Sequence, residues 1–143
     1  MALPTACTAR PAVVYLVDAS ALPSYQQEQV ATSIQDWQDA CVASGLQFRM
    51  VASCGSTPHC MTILPGTLES LGTGHVGFTT YDDANDSSAI SLRSDAIPLV
   101  VIHEMGHAMG LHHDHPGTVM CAYTFCDADK PTPDDAAQFA SLH

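Results

Sequence analysis

The segment HEMGHAMGLHHDH, residues 103–115, holds five of the chain's eight histidines within thirteen positions. His103 and His107 are four residues apart, so on a helix both imidazoles lie on one face and can reach one metal ion. Glu104 lies one step round the helix. Its carboxylate is placed to take a proton from a water molecule on that ion without binding the ion itself. The spacing predicts a helical metal site with an adjacent base.

The residues that follow extend this pattern. Gly110 falls where such a helix would end, and glycine adopts the left-handed conformation that reverses the chain. His113, three residues later, can then approach the same ion from the other side. His112, Asp114 and His115 are rival third ligands, but only His113 fits the spacing after Gly110. The alternative is a polar helix whose histidines are hydrogen-bonded and bind no metal.

The complete pattern, HExxHxxGxxH, resembles that of the metzincin clan of zinc metalloproteases. Met120, in TVMCAY, stands where those proteins place the methionine turn beneath the zinc. The short span from His113 to Met120 and the ending PTPDDAAQFASLH are most similar to the matrixin branch, and the detailed resemblance covers residues 97–143. The resemblance implies that His103, His107 and His113 are zinc ligands and that Glu104 is the general base. It also implies that Gly110 and Met120 are structural residues of the site.

Some features depart from related families. Tyr123 lies three residues beyond Met120, whereas the astacin-like branch places its metal-reaching tyrosine two beyond, so Tyr123 is not included among the ligands. The histidine-rich structural-zinc loop of matrixins is missing, because His59 and His75 stand alone in the sequence. Zinc proteases that use a downstream glutamate ligand are excluded, since no glutamate follows Glu104. A distant aspartate ligand would leave the glycine and the third histidine of the pattern unexplained.

Length and charge limit the remaining possibilities. A chain of 143 residues predicts a single domain, here one zinc-metalloprotease catalytic domain over residues 1–143. Fifteen acidic and four basic residues give a formal net charge of -11, which argues against nucleic acid and anionic membranes as partners. No apolar run is long enough to span a bilayer. We expect a monomer whose partner is a protein or peptide substrate.

The cysteines indicate the redox environment in which the protein works. They are even in number and no CxxC pair occurs, so disulfides in a secreted protein explain them better than a thiolate zinc site. Many pairings are open, and short loops favour Cys54 with Cys60 and Cys121 with Cys126, which leaves Cys7 with Cys41. Met1 is not followed by an apolar signal segment. We therefore expect a mature, secreted domain with an added start methionine.

Hydrophobic periodicity predicts the supporting elements. Strands are expected at 12–17, 46–51, 61–64, 75–81 and 89–93. A backing helix is expected at 24–43, with Val30, Ile34, Trp37 and Cys41 in one apolar stripe. Asp95 is expected to cap the active-site helix, and Thr132 with Asp135 to form a capping box for a C-terminal helix. The sum is an α/β (α+β) fold, a small mixed twisted sheet of about five strands with three helices, as in metzincins.

The resemblance implies a secreted zinc-dependent endopeptidase that hydrolyses peptide bonds with a zinc-bound water and Glu104 as general base. An edge strand would bind extended substrate by strand addition, and its candidate residues are His75, Val76, Gly77, Phe78 and Thr79. Two other functions stay open: a catalytically inactive zinc-containing binding module, and an amide hydrolase acting on non-protein substrates. The acidic turn DDANDSS, with Asp82, Asp83, Asn85 and Asp86, is either a calcium site or a solvated turn.

Overall fold

The computed structural model describes residues 13–40, 45–67, 71, 75–122 and 127–143. Along the described residues, one strand and one helix are followed by four strands and then by two helices. The elements are β1 (Val13–Asp18), α1 (Ser24–Ala40), β2 (Leu46–Met50), β3 (Cys60–Gly66), β4 (Gly77–Asp82), β5 (Ser87–Arg93), α2 (Pro98–Ala108) and α3 (Pro133–Leu142).

The sheet is mixed, with strand order β2-β1-β3-β5-β4. Strand β1 pairs parallel with β2 and β3, and β3 pairs parallel with β5. Strand β4 pairs antiparallel with β5 and forms one edge of the sheet. The predicted α/β class, with a five-stranded mixed sheet and three helices, is confirmed.

Helix α1 supports α2 from behind. Its predicted apolar stripe is buried at Val30, Ile34 and Trp37, while Cys41 lies outside the described residues. The Trp37 side chain is fully buried, and its Nε1 donates to the main-chain oxygen of Ile102 in α2 at 3.1 Å. Because a buried indole N–H needs an acceptor, this bond fixes the two helices relative to each other.

The start of α2 differs from the prediction. Pro98 occupies the first turn as expected, but the N-cap residue is Ile97 and has no side-chain cap. The Asp95 cap is therefore wrong. The Asp95 carboxylate instead binds the Arg93 guanidinium through two hydrogen bonds, Nε to Oδ1 at 3.0 Å and Nη2 to Oδ2 at 2.6 Å. Two hydrogen bonds between charged groups are stronger than a single cap bond, which explains why the Asp95 carboxylate binds Arg93 and does not cap α2.

Helix α3 begins as predicted, with Thr132 as N-cap and Pro133 in its first turn. The Thr132 hydroxyl accepts from Asp135 N at 3.3 Å, and the Asp135 carboxylate accepts from Thr132 N at 2.8 Å. This reciprocal capping box satisfies two of the donors that a helix leaves open at its start.

Other bounds shift by a few residues. Strand β3 extends over 60–66, because the parallel partner β5 offers pairs from Met61–Ser88 to Gly66–Arg93. Strand β4 begins at Gly77, so His75 and Val76 precede it. No helix within the described ranges has the length and apolarity needed to cross a membrane.

One predicted disulfide is confirmed. Cys54 and Cys60 are joined, with their Cα atoms 5.7 Å apart. Cys121 is also disulfide-bonded. Its predicted partner Cys126 lies outside the described residues, as do Cys7 and Cys41.

Replacing both Cys54 and Cys60 by alanine should lower the free energy of unfolding by roughly 2 kcal/mol, because the unfolded chain regains the freedom of a closed loop. Urea unfolding of the two proteins measures the difference. Ser56→Ala, an exposed change in the same loop, is the control and should leave the midpoint unchanged. An unaltered midpoint in the double variant would show that other contacts hold the loop.

Candidate metal centre

Helix α2 ends in a Schellman motif. Gly110 has φ of +95°, the left-handed region that glycine adopts without strain. Gly110 N donates to His107 O at 2.9 Å, and Leu111 N donates to Gly106 O at 3.0 Å. These two bonds close the helix and turn the chain back across its face. The predicted end at Gly110 is therefore correct as the site of reversal, although the helix itself stops at Ala108.

The reversal also supplies an acceptor for one histidine. His107 Nδ1 lies 2.8 Å from Leu111 O, and His103 Nδ1 lies 2.8 Å from Val119 O. A carbonyl oxygen can only accept, so both Nδ1 atoms carry the proton. In the neutral imidazoles the lone pair is therefore on Nε2. Main-chain acceptors at the far nitrogen are the usual support for metal-binding histidines.

The two Nε2 atoms face each other at 3.1 Å. Two lone pairs at that distance repel, and a shared proton would require an imidazolium. Burial lowers the pKa of His107, and the nearby His103 lowers it further, so protonation is disfavoured. A cation between the two nitrogens removes the conflict. Two ligands of a tetrahedral zinc ion with Zn–N bonds of about 2.0–2.1 Å stand about 3.3–3.4 Å apart, so the donor set fits.

His113 completes the cluster. One nitrogen from each of His103, His107 and His113 lies within 4.8 Å of the others. Loss of hydration, followed by the proximity of His107, lowers the pKa of His113. The lowered pKa values of His107 and His113 favour the neutral form that a metal ligand needs. The residues predicted as ligands are brought together, and three imidazoles leave room for a fourth ligand.

The segment carrying His113 is tied to α3. Gln138 of α3 holds the peptide groups of His112 on both sides: its Oε1 accepts from His112 N at 2.6 Å and its Nε2 donates to His112 O at 3.2 Å. His115 Nε2 lies 2.9 Å from the Asp134 carboxylate. Asp114 N donates to Met120 O at 2.8 Å. Of the rival ligands, His115 therefore has another partner, and neither it nor His112 or Asp114 joins the cluster.

Met120 is fully buried, and its side chain packs against α2 at Gly106. Its position explains a residue that the sequence reasoning missed, Gly106, one of the two unspecified positions of HExxH. A Cβ atom on Gly106 would lie 2.4 Å from Met120 Sδ and 3.2 Å from Trp37 Cζ2. Met120 can pack this close to α2 only because residue 106 has no side chain.

Asp135 links the C-terminal helix to the cluster and was anticipated only as a capping residue. It is fully buried, and its Oδ2 accepts from Val119 N at 3.0 Å in addition to both Thr132 donors. The carbonyl of the same Val119 accepts from His103 Nδ1. Asp135 thus fixes the peptide that orients His103. A carboxylate in a helix cap gives no sign in the sequence of this second contact.

Glu104 is buried beside the three histidines and is held by the edge strand. Thr79 Oγ1 lies 2.7 Å from Glu104 Oε2 and 3.1 Å from Glu104 O. A Cβ atom on Gly77 would lie 2.9 Å from both Glu104 Cγ and Val100 Cγ1. Strand β4 therefore packs closely on α2 at this point.

An open cleft of about 800 Å³ lies over the cluster. Among its walls are strand β4, α2 and the segment after Gly110. Of the predicted edge-strand residues, His75, Gly77, Phe78 and Thr79 line the cleft. His75 also packs edge-on against Phe78, with ring centroids 6.0 Å apart. Val76 does not line the cleft, but its main-chain oxygen accepts from Arg93 N at 2.9 Å, which aligns the strand.

Two carboxylates of the acidic turn between β4 and β5 are engaged by other side chains of the protein. Asp82 Oδ2 accepts from Asn85 Nδ2 at 2.7 Å, and Asp86 Oδ2 lies 3.0 Å from His59 Nε2. Among the described residues, no group of three or more histidine, cysteine or acidic ligand atoms other than the three histidines converges in this way. The calcium prediction gains no support.

Comparison with known proteins agrees with this geometry. The matrixin family model matches residues 62–143, so the chain belongs to the matrixin family of zinc metallopeptidases, as its sequence resemblance implied. Among solved structures, metalloproteinase-II from Bacteroides fragilis is similar in fold, with a TM-score of 0.55 and 12% identity over 94% of this chain and 54% of that one.

A structure of myroilysin matches with a TM-score of 0.47 and 17% identity, over 78% of this chain and 54% of that one. The chain thus spans about half the length of these two solved structures. No curated protein matches the chain.

Gly106→Ala should destabilise the protein by up to about 2 kcal/mol. Alanine gains about 1 kcal/mol in helix propensity, but overpacking against buried Met120 costs roughly 1–3 kcal/mol and prevails. Urea unfolding of the metal-free protein measures the change. Met120→Ala provides the matched background: because it removes the clashing atoms, the double variant should be less destabilised than the sum of the single changes. Simple additivity would contradict the contact.

His113→Ala should lower zinc affinity by more than the roughly 10–100-fold typical of losing a supporting residue, because it removes a donor from the cluster. His112→Ala and His115→Ala are matched controls in the same segment and should retain near-normal affinity. Competition titration with a chromogenic chelator measures all three variants. If either control proved the most damaging change, the assignment of the third ligand would be wrong.

Proposed function

We propose that the chain is a secreted zinc endopeptidase whose catalytic domain spans residues 1–143. One observation carries this proposal: three histidine nitrogens converge beside the buried carboxylate of Glu104, on the floor of a cleft bordered by a free sheet edge. A metal site alone would need no base, and a base alone would need no cluster of imidazoles. Their combination in a cleft suits hydrolysis of an extended substrate.

His103, His107 and His113 would hold the zinc. Zinc, when bound, supplies Lewis acidity that acidifies water and polarises a carbonyl oxygen. The chain's part is to hold the imidazoles converged, with the carbonyls of Val119 and Leu111 fixing the Nδ1–H tautomers of His103 and His107. Gly110 and Met120 are the structural residues of this centre, one reversing the chain and the other filling the space beneath α2.

Glu104 would act as the general base. Its Oε2 is occupied by the Thr79 hydroxyl, while among the described residues no hydrogen bond engages Oε1. Glu104 Oε1 is therefore available to take the proton of the attacking water and then to return it to the departing amine. Burial of Glu104 excludes competing solvent from that transfer.

The substrate would bind along β4. Arg93 N donates to Val76 O, and hydrogen-bonded pairs alternate with unbonded ones along an antiparallel ladder. With the observed register, the peptide groups of Gly77, Thr79 and Tyr81 fall in the unbonded phase and are directed to the free edge. An extended peptide can therefore add as a further strand beside Glu104.

Secretion and partner class follow from charge and cysteine chemistry. The Cys54–Cys60 bond suits an oxidising compartment. The net charge of -11 disfavours nucleic acid and anionic membranes and keeps copies of the chain apart, as expected of a monomer. The partner is a protein or peptide substrate.

Two alternative functions can be tested with the same purified protein. An inactive zinc-binding module would bind zinc and cleave nothing, and the ordered Glu104 contact is unnecessary for it. An amide hydrolase acting on non-protein substrates would leave casein and gelatin intact. Digestion of both proteins with and without a chelator, followed by zinc readdition, distinguishes the proposed endopeptidase from both alternatives.

Glu104→Gln should lower kcat for a peptide substrate by roughly 10²–10⁴-fold, because proton transfer by the base is lost. Zinc should remain near one ion per chain, as measured by metal analysis, since the three histidines are unchanged. Glu28→Gln makes the same chemical change on an exposed position of α1 and serves as the control. Wild-type activity in Glu104→Gln would mean that the reaction or the base is misassigned.

A further inference from the structure

We propose that Thr79 is a positioning residue whose hydroxyl holds the Glu104 carboxylate with Oε2 on the edge strand and Oε1 towards the three histidines. This inference rests on the proposed function, since it concerns the base of that reaction. It assigns the Thr79 side chain a role separate from the binding of substrate by the strand's main chain.

The contact is specific to the hydroxyl. Thr79 Oγ1 lies 2.7 Å from Glu104 Oε2 and 3.1 Å from Glu104 O. Both partners are acceptors, and the hydroxyl has one proton, so it donates to the nearer carboxylate oxygen while the carboxylate is ionised. A hydroxyl bonded to a charged carboxylate makes a strong hydrogen bond, which restrains the rotation of that carboxylate.

Packing against strand β4 also restricts the aliphatic part of the Glu104 side chain. Gly77 and Thr79 lie on the same face of β4, because side chains two apart along a strand project to one side. At Gly77 the strand approaches Glu104 Cγ so closely that a Cβ atom would lie 2.9 Å away. The strand therefore confines the aliphatic part of Glu104 at one residue and binds its carboxylate at the next inward-facing one.

The same residue faces the substrate edge. The Thr79 peptide group falls in the phase directed away from β5, towards the place where a peptide would add. A single residue thus joins the substrate-binding edge to the base. Strand addition and base orientation are coupled through Thr79, so a displaced β4 would also misplace the carboxylate.

Kinetics of two Thr79 variants test this role. Thr79→Val keeps the shape but removes the hydroxyl, and kcat should fall about 10- to 100-fold, the equivalent of one hydrogen bond to a charged group. KM and the zinc content should stay near wild type. Thr79→Ser restores the hydroxyl and should recover most of kcat. Thr62→Val makes the same exchange on β3, away from the cleft, and should leave kcat unchanged.

A double-mutant cycle on the metal-free protein provides a readout independent of activity. Thr79→Val should lower the urea midpoint of the wild-type chain, and that shift should be largely lost in a Glu104→Ala background, because the partner is gone. Equal shifts in both backgrounds would overturn the contact. Unchanged kcat in Thr79→Val, or a Thr79→Ser variant no better than Thr79→Val, would overturn the positioning role.

The two proposals fail in distinguishable ways. If the wild-type chain binds zinc but cleaves neither casein, gelatin nor a peptide library, the proposed function fails. The unfolding cycle then decides by itself whether Thr79 holds Glu104. If the wild-type chain is active and Thr79→Val retains full kcat, the proposed function stands and the inference about Thr79 is wrong.

Discussion

The close approach of two imidazole nitrogens is the constraint on which the rest of this structure depends. His103 and His107 turn lone pairs towards each other at 3.1 Å, an arrangement that no isolated helix would maintain. It persists because each ring is held at its far nitrogen by a main-chain carbonyl. The Leu111 carbonyl is in position because the chain reverses at Gly110. The Val119 carbonyl is in position because Asp135 holds the Val119 peptide. The site is thus built by the backbone as much as by side chains.

Three other elements of the fold hold α2 and the segment that follows it. Helix α1 supports α2 through Trp37, α3 holds the segment after Gly110 through Gln138, and β4 packs on α2 at Glu104. Helix α1 and strand β4 contact α2 itself, whereas α3 contacts the segment that follows it.

Much of this could be predicted from the sequence, and the physical reason is locality. The HExxHxxGxxH spacing depends on helix geometry and a glycine turn, both of which are local, so the histidine cluster and the reversal were foreseen. The capping box of Thr132 and Asp135 and the stripe containing Trp37 are also local. Contacts across the fold were missed: the packing of Met120 against Gly106, and the hydrogen bond from Val119 N to the Asp135 carboxylate. The Asp95 cap failed because composition cannot show that Arg93 competes for that carboxylate.

The free edge of β4 has a consequence for the behaviour of the protein in concentrated solution. An edge that accepts an extended peptide also offers the same main-chain groups to a second copy of the chain, and exposed Phe78 and Tyr81 make it adhesive. What opposes such pairing is charge: Asp82 ends the strand, acidic residues follow it, and the whole chain is strongly anionic. Salt weakens that repulsion at distances beyond about 10 Å. The colloidal stability of the protein therefore depends on ionic strength.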